Sequence, residues 1–461
     1  MEASCLTLYN SADPFHEARQ MAHEKLDQWL DCLEPLFHQE KPPTLMELSQ
    51  TMMQGRGQLM GGIMEDLSSG LYRHFLGQAV AHCPQCDRRL APKRIDEKQI
   101  LTMQGPMTIQ RPYFYCPSCR FGFHPMDEAF ELTREVHQFD VQQSLAKLAT
   151  HMPHDLAAQL MSEMTGVKVS GHASHENTNR IAEIASLETV LPDRDIIETK
   201  IAAATSKEGD LPVLVVSVDG AHVPIRPKAG RKQKRGKGHW REAKGFRMYL
   251  LGKDERIINL MSWHQITDDV EDFREDFLKA AELIPAQKVR IVVIADGADW
   301  IWKTFEQAFP NATEVLDYFH CSEHVHELAR IHFGQTMEAT QWAEATMTKL
   351  WLNQVDEVIK SLKEMEADSD TDAENIRKLI NYLSTHEKRL NYNNNKQKGI
   401  PIGSGGIESS NKSICHTRMK RPGTWWILEN GNQMLRLRCS IQNETFIKVF
   451  ENYIKNKYKK F

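Results

Sequence analysis

Asp219, Asp296 and Glu408 are the residues whose types and placement point most directly to chemistry. Asp219 closes the apolar run LPVLVVSVDG, Asp296 closes VRIVVIADG, and Glu408 lies inside GIPIGSGGIESSNK. Two strands of buried type that each stop on Asp-Gly, followed far downstream by a Glu that opens a helix, suggest three hard oxygen donors converging on a divalent cation. Such a site suits phosphodiester chemistry, where paired metal ions stabilise the attacking and leaving oxygens of an in-line displacement. A single Asp-Gly is explained by a turn. Two of them with a downstream Glu are not.

Cys83-Pro-Gln-Cys86 and Cys116-Pro-Ser-Cys119 form a second constellation. Two CxxC knuckles separated by a strand-rich stretch have the ligand spacing of a four-cysteine zinc ribbon, each knuckle wrapping one side of a tetrahedral Zn2+. Four reduced thiols without metal, or a redox dithiol, are the competing readings. His82 and His124 stand beside the knuckles, but four cysteines already fill a structural site. The remaining cysteines of the nine are scattered singly, which is metal arithmetic rather than a disulfide framework and suits a reducing compartment.

The elements that must position the acids form an α/β pattern after Pro192. Strands are expected at 213–218, 246–252, 256–266, 289–295 and 312–316, with helices at 270–283 and 300–308. The first three strands can make an antiparallel meander, because the step from Leu251 to Arg256 is short enough for a hairpin. Residues 320–386 read as helical, Asn391 to Lys398 as a polar loop, and a closing helical region starts near Ile407. Upstream, apolar residues recur at helical spacing to about residue 75, the pattern turns to short strands from His82 to Pro125, and helices return at 130–190 with turns at Gly166 and near Ser170. That last stretch fits a helix-turn-helix-like unit or an ordinary bundle.

The expected architecture is therefore multidomain α/β. Its segments are a helical N-terminal module (1–78), a zinc ribbon (79–127), a helix-turn-helix-like segment (128–192), the first part of the core (193–319), a helical insertion (320–396) and a core-completing helix with basic C-terminal helices (397–461).

A chain of 461 residues with net charge −5 is no uniformly basic nucleic-acid coat, but its charge is segregated. Between Pro224 and Lys244 stand nine cations (Arg226, Lys228, Arg231, Lys232, Lys234, Arg235, Lys237, Arg241 and Lys244) and one acid, Glu242. Local patches decide whether phosphates bind, since screening acts within roughly 8 Å at physiological salt. Emerging just beyond Asp219, this run suits a clamp on a DNA backbone, against the plainer reading of a solvated loop. Asn411 and Lys412 follow Glu408 on the same helix face, so Lys412 would meet a phosphate or balance the carboxylates. Arg418, Lys420 and Arg421 continue a basic surface toward Trp425 and Trp426, which serve either the core or base stacking. No apolar run is long enough for a membrane span. A cytoplasmic protein is expected.

The phrases VSVDGAHVPIR, WREAKGFRMYLL, IADGADWIWKTFEQAFPNATEVLDYFH and GIPIGSGGIESSNKSICHTRMKRPGTWW resemble the ISKra family of bacterial insertion-sequence transposases, in the Mutator-like clan. More broadly the chain resembles the RNase H-like core shared by DDE transposases and integrases. The resemblance implies Asp219, Asp296 and Glu408 as ligands of Mg2+ or Mn2+. It also implies that Asp317 and His320, which match the (Cys or Asp)-x-x-His motif of the clan, belong to the catalytic set, sitting close to the active site and assisting DNA positioning or cleavage. From the residues alone, His320 and His324 at i and i+4 are either metal ligands or ordinary helix-surface histidines. The implied function is binding of double-stranded DNA at the terminal repeats of a mobile element, cleavage there, and transfer of the 3′ hydroxyl to target DNA. Synapsis of two ends implies a homodimer or higher oligomer, and the setting is bacterial and nucleoid-associated. Two rivals remain open: an RNase H-like nuclease that cuts without joining, and a domesticated, non-catalytic DNA-binding protein.

Overall fold

Packing divides the chain into two compact units, Met1–Ile181 with Tyr453–Phe461, and Ala182–Asn452. The computed structural model describes residues 13–206, 210–227, 237–252 and 256–458. The division falls inside the helix Gly171–Ile184, so the expected segments 128–192 and 397–461 each contribute to both units.

In the first unit, helices Pro14–Asp31 and Leu45–Leu71 form a pair. Asp13 caps the first through the amides of Phe15 and His16. A reciprocal capping box starts the second: Thr44 N donates to Glu47 Oε2 at 2.7 Å, and Glu47 N donates back to Thr44 Oγ1 at 3.3 Å. Lys25 joins the two helices by meeting the buried Asp66 at 2.7 Å. The small module that follows pairs β1 (Ala81–His82) with β2 (Arg89–Leu90), and β3 (Arg94–Thr102) with β4 (Gly105–Cys116) and β5 (Phe121–Phe123), all antiparallel. The second helix lies against the β3–β4 turn, where a side chain on Gly61 would collide with the Pro106 carbonyl at 2.2 Å. Helices Phe139–His151 and His154–Thr165 follow, and Gly166 ends the latter in the left-handed conformation at φ 76°.

The second unit is built on a five-stranded sheet of β6 (Val213–Ile225), β7 (His239–Leu251), β8 (Ile257–Ile266), β9 (Arg290–Ala295) and β10 (Thr313–Leu316), in the order β10-β9-β6-β7-β8. The expected meander β6-β7-β8 is antiparallel, and β9 and β10 add on in parallel beyond β6. Helices Val270–Ala281 and Asp299–Ala308 cover one face, locked by an aromatic cluster in which Phe277 meets Phe246 at 5.3 Å and Phe305 at 5.7 Å. Helix Leu428–Gln442 packs against β8. There Asn443 Oδ1 accepts from Ser262 N at 2.7 Å and Asn443 Nδ2 donates to Ser262 O at 2.9 Å.

Three expectations change. β6 and β7 both run farther than 213–218 and 246–252, pairing with each other out to Ile225 and His239. Gly220, Pro224 and the charges of WREAK disguise that extension. Yet Pro224 needs no amide there, and its carbonyl accepts from Trp426 N at 3.0 Å. Residues 391–398 are not a plain loop: Tyr392–Gln397 is helical, anchored by the buried Tyr392, whose ring meets Tyr318 at 5.1 Å. Packing overrides the turn preference of the asparagines. Finally, Asp219 is not at the end of its strand but inside it. The helices expected at 320–386 are Tyr318–Phe333, Met337–Trp351, Val355–Lys363 and Asp370–His386. Among the described residues no helix is long and apolar enough to cross a membrane.

Candidate active site and metal centre

The four cysteines come together as their spacing predicts. Among the described residues they are the one group whose possible ligand atoms all lie within 4.8 Å of one another. A tetrahedral Zn–S distance of about 2.3 Å requires sulfurs about 3.8 Å apart, so the donor set fits one Zn2+. Each knuckle closes through a residue in the left-handed region directly after its second cysteine, Asp87 at φ 57° and Arg120 at φ 52°. Cys83 and Cys116 are buried with Ala81, Leu90 and Phe114. His82 and His124 turn instead to Asp87 and Asp96, both at 3.0 Å, and stand apart from the cluster.

The carboxylates are assembled differently. β6 pairs with β9 only up to Ser217 opposite Ile294, and two further steps in that register bring Asp219 beside Asp296 on the same face. Asp219 is therefore where β6 outruns β9. Burial pushes its carboxyl up to about 6; the Gly220 amide opposes the rise, the neighbouring Asp296 adds to it, and His320 acts against it. Asp219, Gly245 and His264 form one row across three strands. Asn411 spans that row over the bare Gly245: its Nδ2 donates to Asp219 Oδ2 at 2.8 Å, and its Oδ1 accepts from His264 Nε2 at 2.8 Å. A side chain on Gly245 would lie 2.3 Å from the His264 ring. Burial holds His264 near 4, hence neutral and able to donate from one nitrogen.

Glu408 sits on the short helix Gly405–Ser410, which Arg247 pins to the sheet by donating to the Gly406 carbonyl at 2.6 Å. The Glu408 side chain turns outward, pairs with Lys412 at 2.6 Å and is 61% exposed. The three acids thus do not lie within 4.8 Å of one another. The expectation that Asn411 and Lys412 share a face is corrected, because Asn411 is buried on Asp219 while Lys412 follows Glu408 outward. The chain takes a π-helical turn over Asn411–His416.

Asp317 caps helix Tyr318–Phe333. Its Oδ1 accepts from the amides of Phe319 at 2.7 Å and His320 at 3.0 Å, and its Oδ2 accepts from Ser404 N at 2.7 Å, fixing the segment that leads into the Glu408 helix. His320 is half exposed, with its ring 5.9 Å from that of His324.

A group with no recognisable sequence signal holds the Asp296 turn. Trp302 Nε1 donates to the Asp296 carbonyl at 2.9 Å, and Ala298 N donates to Asp296 Oδ1 at 3.0 Å. His386 bonds the Gly297 backbone and accepts from Arg389 Nη1 at 2.8 Å, while Arg389 Nε reaches Glu314 at 2.6 Å. Tyr382 packs where a side chain on Gly297 would stand, 2.4 Å away. The helical segment far from Asp296 in sequence thereby becomes part of its support.

Of the expected DNA-contacting residues, Lys228, Arg231, Lys232, Lys234 and Arg235 lie outside the described residues. Lys237 is exposed two residues before β7, and Arg226 N donates to the Trp426 carbonyl at 2.8 Å. Lys420 meets His416 Nε2 at 2.8 Å, and Arg421 Nε donates to the Thr417 carbonyl at 3.4 Å. Arg418 departs from the expected basic surface: it is buried, its guanidinium lies 4.9 Å over the Trp426 ring, and desolvation lowers its pKa to about 10. Trp426 is likewise buried, and its Nε1 donates to the Met419 carbonyl at 3.1 Å.

Residues 77–455 match the family described as Uncharacterised protein family (UPF0236). Comparison with curated proteins gives no match. Among solved structures, the Drosophila P element transposase strand transfer complex aligns with a TM-score of 0.32 and 9% identity, over 68% of this chain and 94% of that one. At that level of similarity neither fold nor activity follows.

Proposed function

The chain belongs to the UPF0236 family, and we propose that it is a DDE-type transposase with an RNase H-like catalytic core, close to the ISKra-type enzymes its motifs resemble. One observation carries the reading: the β6–β9 register sets Asp219 beside Asp296 where the two strands part, and the Asp219 carboxyl feels both Asp296 and His320. Strand order supports the core assignment, with an antiparallel meander extended by two parallel strands beyond its first member.

In this reading Asp219 and Asp296 would hold Mg2+ or Mn2+, and Glu408 completes the set by leaving Lys412. The ion would supply the charge that stabilises the attacking and leaving oxygens of the phosphodiester. Asn411 orients Asp219, and the Trp302 and His386 contacts orient Asp296. Asp317 acts through the backbone as a positioning residue. His320, near enough to act on the Asp219 carboxyl, would meet a phosphate oxygen of the substrate. Lys237, Lys412, Lys420 and Arg421, with the cations of 228–235, bind the DNA backbone of terminal repeats and target. The four-cysteine module carries structural Zn2+. Two ends must be held at once, so the working form is a homodimer or larger.

The test is a strand-transfer assay with the repeats that flank the gene as donor ends. Wild-type protein in Mg2+ should cut and join, and Asp219→Asn, Asp296→Asn and Glu408→Gln should bind ends and do neither. Cutting without joining by the wild type points to a nuclease. End binding with no cutting points to a non-catalytic DNA-binding protein.

A further inference from the structure

Trp240 and Trp425 are separate in sequence and adjacent in space, with ring centroids 6.4 Å apart and planes tilted by 55°. Both are open to solvent, at 56% and 41%, whereas the neighbouring Trp426 is 8% exposed and serves the core. Two exposed aromatics in contact form one contiguous patch, which is informative in a way that a single scattered surface side chain is not. The backbone builds this pair deliberately: Trp240 is held opposite Pro224 in the β6–β7 ladder, and Trp425 seats its ring where a side chain on Gly238 would lie, 2.3 Å away.

A line of polar side chains at four-residue spacing leads to the pair from Glu408. Glu408 meets Lys412 at 2.6 Å, and His416 meets Lys420 at 2.8 Å. The Lys420 ammonium stands 6.0 Å over the Trp240 ring. Three such helical steps span roughly 18 Å. The ridge thus starts at an acid of the candidate active site, presents two lysines and a histidine, and ends at an aromatic platform. Cations followed by exposed π faces have the composition that holds a nucleic-acid strand with one base out of its stack.

We propose that Trp240 and Trp425 bind an unstacked nucleotide of the DNA, with Lys420 and Lys412 on its flanking phosphates. The inference rests on the proposed DNA-processing function only in taking DNA as the ligand. It assigns the aromatic role to Trp240 with Trp425, not to Trp425 with Trp426. Stacking is blind to base identity, so the site selects deformed or frayed DNA rather than a sequence.

The test uses full-length protein, no added divalent cation, and two duplexes of equal length: one fully paired, one carrying a single extrahelical 2-aminopurine. The wild type should bind the second about tenfold more tightly and quench the 2-aminopurine on binding, as one base–aromatic stack allows. Trp240→Ala and Trp425→Ala should abolish both the preference and the quenching while leaving affinity for the paired duplex within about twofold, because phosphate contacts remain. Trp240→Phe keeps a π face and should retain most of the preference, which separates stacking from a folding defect. Equal wild-type affinity for the two duplexes, or a preference that survives both alanine variants, overturns the inference while leaving the transposase reading intact. A wild type that binds neither duplex overturns both.

Discussion

The four cysteines come from two hairpins of one module, and their sulfurs already lie within 4.8 Å of one another; the three acids come from a strand interior, a strand end and a distant helix, and do not. Thiols close to each other can share protons, so neighbouring sulfurs tolerate a tight cluster. Carboxylates at neutral pH repel, and Glu408 takes the arrangement its charge favours by turning to Lys412. The thiol cluster is thus fixed by local chain geometry, whereas the acids, read as a catalytic centre, would need Glu408 to move. The same contrast runs through the support. Hairpin turns alone shape the cysteine site, but Asp219 and Asp296 depend on Asn411, Trp302, His386 and Arg389 from three other stretches of chain.

The largest effect should come from the acids. Asp296→Asn removes one of the two carboxylates in register, and cleavage of a terminal-repeat substrate should fall by about a thousandfold or more, with the double variant Asp219→Asn/Asp296→Asn no worse. A steady-state cleavage assay in Mg2+ reads this. If Glu408 is the movable third ligand, Glu408→Gln should match that loss, while Lys412→Met should lose far less. Near-normal cleavage by Glu408→Gln would falsify its assignment and leave the two strand acids in place.

On the other side of the comparison, purified protein should carry about one zinc per chain, since four thiolates complete one tetrahedral ion. Cys116→Ser should lose the ion and unfold residues 82–125, because structural Zn2+ contributes on the order of 10 kcal/mol to such modules. Elemental analysis and limited proteolysis check both. Retention of zinc by Cys116→Ser would show that the remaining donors suffice and that the cluster is less closed than its geometry.

A smaller loss tests the outer support of the acids. Asn411→Ala strips a hydrogen bond from Asp219 and leaves the buried His264 Nε2 without its acceptor, which should destabilise the protein by about 1–3 kcal/mol. Gly245→Ala drives a methyl into the His264 ring and should cost a similar amount. Thermal unfolding measures both. Asn411→Ala should also lower the cleavage rate with little change in end binding, a split that a purely structural role would not give.

The sequence disclosed what local pattern can carry. Alternation and apolar runs located the five strands, and CxxC spacing located the four-cysteine cluster, because each is written in adjacent residues. The row Asp219–Gly245–His264 was hidden since register across three strands is not a local property. Tyr382, His386 and Arg389 had no signal for the same reason: the first two meet Gly297 beside Asp296, and Arg389 meets His386, only after four helices have packed. Arg418 misled because a cation in a basic run reads as surface, and only packing on Trp426 shows it buried.

The smallest effect, and the most specific to Asp219, lies in pH. Its folded pKa of about 6 stands above the ordinary 3.8, so between those values the native chain keeps a proton that the unfolded chain has released. Stability from this group therefore falls as pH rises through that window and stays low above it. Asp219→Asn removes the penalty while keeping an oxygen for Asn411 to bond. The variant should be more stable than the wild type at pH 7.5 by at most about 3 kcal/mol, with the difference gone below pH about 4. Added Mg2+ should narrow the gap by stabilising the ionised wild type alone. Parallel melting curves across pH settle it: a variant of equal or lower stability at pH 7.5 would mean that Asp219 is a relaxed structural residue, and the contrast between a settled thiolate centre and a strained carboxylate one would collapse.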